Sequence, residues 1–134
     1  MAGTEAYVDT RYPLSDLTGR VIAAAQEIHY VLGPGFREVI YQRVLALELP
    51  RYNVEHAREV WMDVAYKGVS LGKKRVDFVV GDESGKVMLE IKAKGELEKA
   101  DFVQALSYLK ASGYHVGLLI NFGSARLEIK RLAN

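Results

Sequence analysis

The chain has 134 residues, 49% hydrophobic and 26% charged, the proportions of a globular protein large enough for one core. It has no cysteine, which excludes disulfides and thiolate metal sites, and its net charge of +1 confines any basic footprint to short local runs. No apolar run reaches membrane-spanning length and the start, MAGTEAYVDTRYP, lacks a signal peptide's apolar segment, so one cytoplasmic domain over 1–134 without a membrane partner is expected.

Residues 1–13 show no period and read as an extended arm. From Ser15 the spacing of Leu17, Val21, Ala24, Ile28 and Leu32 predicts a helix, ended by Gly33-Pro34-Gly35. A second helix is predicted from near Phe36 to Pro50, with Phe36, Ile40, Val44 and Leu47 as its core stripe. Glu38, Tyr41 and Leu45 then lie on a different edge. Val60 to Tyr66 alternates as a strand does, Lys67-Gly68 makes a turn, and Val69 onward returns, bent at Gly72, into a second strand.

Val76–Val80 and Val87–Ile91 are apolar runs on either side of the turn residues Gly81, Asp82, Ser84 and Gly85, the signature of a β-hairpin. Three charges interrupt these runs: Asp77, Glu90 and Lys92. In an ungapped register Asp77 opposes Glu90 and Arg75 opposes Lys92, with Asp77, Glu90 and Lys92 on one face and Val76, Phe78, Leu89 and Ile91 on the other. Opposed carboxylates stand roughly 5 Å apart at Cβ. Their repulsion at an effective dielectric of 20 is about 3 kcal/mol, which a divalent cation between them reverses.

After Gly95 a third helix is predicted from Glu98 to Ser112, closed by Gly113, with Leu106 and Leu109 plus Phe102 or Val103 as its apolar side. Gln104 and Tyr108 share another face. His115–Phe122 reads as a strand buried on both sides, and Leu127–Lys130 as an edge strand. The predicted order is ααβββαββ.

Asp77 followed by Glu90-Ile91-Lys92 resembles the D…(D/E)xK core of the PD-(D/E)XK nucleases, with Val76 in place of the nominal proline. Gly35, Glu38 and Tyr41 read G-x-x-E-x-x-Y; with Glu27-Ile28-His29, Tyr66-Lys67-Gly68-Val69, Gln104 and Asn121-Phe122 they resemble the GxxExxY family of that superfamily over Leu17–Leu132. The resemblance implies an α/β fold with a restriction-endonuclease-like core, a mixed sheet flanked by helices. It implies Mg²⁺-dependent hydrolysis of nucleic acid, DNA first, with Mn²⁺ as a substitute. Asp77, Glu90 and, directly or through water, Glu38 would hold the metal; Lys92 and Gln104 would complete the catalytic set; His29, Tyr41, Arg75, Lys94 and Tyr108 are candidates to bind substrate. A homodimer would supply two sites for a duplex.

Each residue also has a plainer reading. A helical glutamate such as Glu38 is ordinarily solvated, and near a helix start it is favoured by the macrodipole. A lone histidine such as His29 is more often structural, Tyr41 is expected to pack rather than touch phosphate, and a helix glutamine is usually a surface residue. For the whole chain the alternatives are a catalytically inactive nucleic-acid-binding or protein-interaction module, or a structural network pairing Asp77 or Glu90 with Arg75, Lys92 or Lys94.

Overall fold

The structure, a computed structural model, describes residues 7–8 and 12–134. The expected arm over 1–13 falls largely outside these. The described chain runs α1 (Ser15–Leu32), α2 (Glu38–Glu48), a short 3-10 turn (Leu49–Tyr52), β1 (His56–Tyr66), β2 (Val69–Asp82), β3 (Gly85–Lys92), α3 (Lys99–Ser112), β4 (Val116–Asn121) and β5 (Glu128–Ala133). The ααβββαββ order is as the periodicity predicts. Among the described residues no helix is long and apolar enough to cross a membrane.

The strands form one sheet in the order β1-β2-β3-β4-β5. All neighbours are antiparallel except β3 and β4, which are parallel and joined through α3. β4 is buried along its whole length. That follows from its place between two strands and two helix layers, as its near-continuous apolar run anticipates.

Each sheet face has its own core. On one, Val21, Ala24 and Ile28 of α1 and Tyr41 and Leu45 of α2 pack with Phe78, Leu89, Ile91, Leu118 and Ile120. On the other, Ala105 and Leu109 of α3 pack with Val76, Val79, Met88, Leu119 and Leu132.

Two expectations about faces are corrected. In α2 the buried side chains are Tyr41 and Leu45, continued by Leu49, whereas Phe36 and Leu47 are 47% and 75% exposed. The helix begins only at Glu38, after an extended Arg37, so Phe36 lies outside it. Tyr41 takes the inward position because its ring stacks on Phe122 at 4.8 Å and its hydroxyl donates to the Gly33 carbonyl at 2.6 Å. In β2, Val76 packs on the α3 side although Phe78, two residues on, packs on the α1 side. Strict alternation is broken at Asp77.

Candidate active site

The β2–β3 ladder has the register read from the hairpin, with Phe78 opposite Leu89 and Val80 opposite Val87, but its paired residues end at Phe78. The β1–β2 ladder pairs Arg58 with Phe78 and Val60 with Val76 and omits Glu59 and Asp77 between them. Glu59 is left-handed there, with φ 59°, a conformation costing a side-chain-bearing residue about 1 kcal/mol. β2 therefore turns away from β3 at Asp77, and the Asp77 side chain fills the break: its Oδ2 accepts the Ile91 amide at 2.7 Å.

Glu90 lies beside this break in the central part of the sheet, only 7% exposed. One of its oxygens, Oε1, is buried with no hydrogen-bond partner among the described residues. Burial first, then the charge of Asp77 and a hydrogen bond shared with its carboxyl, push the Glu90 pKa up to about 8; Lys74 and Lys92 act in the opposite direction. Glu90 thus gives up its proton less readily than a free carboxyl does. An unpaired buried carboxylate oxygen costs on the order of 1–3 kcal/mol, which a hydrogen bond or a cation removes.

Glu90 and Lys92 share the α3 side of β3 with Met88, and Lys92 Nζ donates to Gln104 Oε1 of α3 at 3.1 Å. The lysine and glutamine singled out from the sequence meet. Neither Asp77 nor Glu90 forms an ion pair with Arg75, Lys92 or Lys94: Arg75 stands 3.6 Å from Glu59, and Lys94 stands 2.9 and 3.1 Å from Asp101 and Glu98. The structural network is corrected on that ground.

Glu38, at the start of α2, approaches from the other helix layer. As a residue it is exposed, yet loss of water around its carboxyl, then the charge of Asp77, raise its pKa, while Lys92, Gln42 and Lys74 oppose the rise. Its Oε1 accepts from Gln42 Nε2 at 3.2 Å, and Gln42 Oε1 accepts from Arg58 at 3.0 Å. Among the described residues no three acidic or imidazole groups converge as a ready-made metal site. The close acids are two, Asp77 and Glu90, with Glu38 coupled to Asp77 through charge.

The remaining candidates have other partners. Tyr41 is fully buried, its hydroxyl also accepting from the Phe36 amide at 3.3 Å. His29 bonds through Nε2 to the Ser124 carbonyl at 2.9 Å, fastening α1 to the β4–β5 loop. Lys94 is engaged at the start of α3, where Glu98 and Asp101 form a reciprocal cap, and those two carboxylates raise its pKa, Asp101 foremost. Asn121 closes the same corner, donating to the Lys94 carbonyl and accepting from the Lys94 amide. Tyr108 lies under the Lys74 ammonium at 4.7 Å.

Sequence reasoning passed over three residues. Lys74, whose charge acts on both Glu38 and Glu90, adjoins the candidate Arg75 in the sequence but is not among the candidates. Gln42 stands one helical turn from Glu38 and was legible by spacing. Arg58 reaches Gln42 from β1, 16 residues along the chain, a contact that no local pattern announces.

Residues 15–132 match the PD-(D/E)XK nuclease superfamily. The chain belongs to that superfamily. The crystal structure of SSO0001 is similar in fold, with a TM-score of 0.53 at 16% identity over 73% of this chain and 50% of that one. This chain thus spans half the length of that protein, and at such identity the likeness speaks for the fold alone. No curated protein matches the sequence.

PD-(D/E)XK nucleases generally use divalent metals. The donors present fit one: two carboxylates side by side, one with an oxygen that finds no partner among the described residues, are hard oxygen ligands whose mutual repulsion a small dication removes.

Proposed function

We propose that this chain is a metal-dependent nuclease of the GxxExxY branch, hydrolysing phosphodiester bonds of nucleic acid, DNA foremost, with Mg²⁺ as its ion and Mn²⁺ as a substitute. The observation that carries the reading is buried Glu90, its Oε1 without a partner among the described residues, beside half-buried Asp77 and near the Lys92–Gln104 contact.

In this reading Asp77, Glu90 and the Ile91 carbonyl would hold the ion, joined directly or through water by Glu38. When bound, the ion supplies charge to a phosphoryl oxygen and makes water easier to deprotonate. Lys92 offsets the negative charge that grows on the phosphate in the transition state; its ammonium bonds to a neutral amide rather than a carboxylate, so its charge remains available. Gln104 orients Lys92 through Oε1, leaving its NH₂ to position water. Tyr41, His29 and Lys94 act as fasteners of the scaffold.

The test is cleavage of end-labelled single- and double-stranded DNA with Mg²⁺, comparing wild type with Lys92→Ala. A metal-dependent product that falls at least 100-fold in the variant, with metal affinity retained, supports the nuclease. Oligonucleotide binding without cleavage in any divalent ion would instead favour the inactive module.

A further inference from the structure

Beyond the break at Asp77, the outer part of β2 pairs with β1 alone, so Val60–Arg75 forms a two-stranded arm with one edge of β2 unpaired. Its tip is a two-residue turn, Lys67 and Gly68, both with positive φ as a tight hairpin requires. At about 3.3 Å per residue the β2 side of the arm, Val69–Val76, is roughly 25 Å long and ends at Asp77.

The arm's composition differs from that of the rest of the chain. It has Lys67, Lys73, Lys74 and Arg75 against a single acid, Asp63, in a protein whose net charge is +1. It also exposes large apolar groups that none of the described residues covers: Trp61 at 62%, Tyr66 at 53%, Val69 at 61% and Leu71 at 68%. Cations stand beside both aromatics, Arg75 at 5.9 Å from the Trp61 ring and Lys67 at 5.3 Å from the Tyr66 ring. The ladder sets Trp61 opposite Arg75 and Asp63 opposite Lys73, so the tryptophan and two cations share one face with Asp63, and Arg75 stands 3.6 Å from Glu59.

We infer that this arm is a binding track for single-stranded nucleic acid, on which a base stacks against Trp61 while Lys67, Lys73 and Arg75 follow the phosphates toward Asp77. The inference rests on the nuclease reading for the fate of the strand, not for its binding. Exposed aromatic faces alternating with cations are the chemistry that holds unpaired bases and their backbone together. Lysine is depleted at the cores of protein–protein interfaces, which makes a protein partner the poorer match. A paired duplex would offer the phosphates but no free base for Trp61.

Trp61 is the only tryptophan in the chain, so its fluorescence reports the arm directly. The experiment titrates a 20-nucleotide oligothymidylate into the full chain in EDTA, where metal-dependent cleavage is silent, following Trp61 emission and, in parallel, anisotropy of a labelled copy. The inference expects quenching that saturates with the anisotropy. It expects about tenfold weaker binding in Trp61→Ala, and in Lys67→Ala/Lys73→Ala a log Kd against log salt slope shallower by about 1.4. These positions are exposed, and melting curves check that the variants fold.

Binding without quenching, variants that bind as wild type does, tighter binding of a duplex of equal length, or no binding at all would each overturn it. Failure of the nuclease reading appears elsewhere, in metal binding and cleavage. Arm-dependent quenching without either would leave the track standing and remove the enzyme.

Discussion

Glu90 is almost wholly buried with Asp77 beside it, so ionising it costs both desolvation and charge repulsion. Its pKa is raised from 4.5 to about 8, so the folded protein binds this proton more tightly than the unfolded chain does. Below the unfolded value there is no penalty; as pH climbs from 4.5 towards 8 the metal-free fold loses stability, on the order of a few kcal/mol in all. Glu90→Gln, which mimics the protonated acid, is therefore expected to melt like wild type near pH 4.5 and several degrees higher at pH 8, measured in EDTA by circular dichroism. Equal melting temperatures at both pH values would count against the buried charge. The same proton must leave when a cation binds, so Mn²⁺ affinity is expected to rise by up to tenfold per pH unit between pH 6 and 8. Calorimetry in buffers of different ionisation enthalpy measures the proton released.

Between elements, backbone contacts and aromatic stacking hold the site's supports. A Cβ at Gly123 would lie 2.4 Å from the Lys94 nitrogen and 2.5 Å from the Ala93 carbonyl carbon, directly behind the end of β3. Gly123→Ala is expected to cost about 1–3 kcal/mol in urea unfolding and to lower cleavage by displacing Lys92, because backbone atoms cannot rotate aside. Tyr41→Phe leaves the Gly33 carbonyl and the Phe36 amide without their hydroxyl partner, at about 1 kcal/mol in the same assay. The hairpin register was legible because apolar alternation and a Gly-rich turn leave few ways to pair those strands. The buried edge of α2 was not, because it depends on Phe122, far along the chain. Nor was the change of face at Asp77: it depends on Glu59 turning left-handed in another strand, while alternation assumes an unbroken ladder. Asp77, Glu90, Lys92 and Gln104 were legible as residue types, and Gln42 by its helical spacing from Glu38; the Lys92–Gln104 contact and the approach of Arg58 and Lys74 come from packing that sequence spacing does not encode.

At the scale of the whole molecule, a mixed sheet covered on both faces brings a carboxylate pair from its centre to the point where one hairpin leaves it. The two cores make the scaffold firm there, and at the broken ladder Asp77 takes the Ile91 amide while Glu90 Oε1 finds no hydrogen-bond partner among the described residues. A cation that binds only the folded chain should stabilise all of it, by about 2.7 kcal/mol at a free concentration 100 times its Kd. The most direct test is calorimetric titration of Mn²⁺ at pH 8 into wild type and Asp77→Ala, each with and without an oligonucleotide bearing non-hydrolysable linkages. The account expects saturable binding in wild type that is lost in the variant. Binding that survives Asp77→Ala unchanged, or its absence from wild type even with the oligonucleotide present, would contradict the proposed metal site.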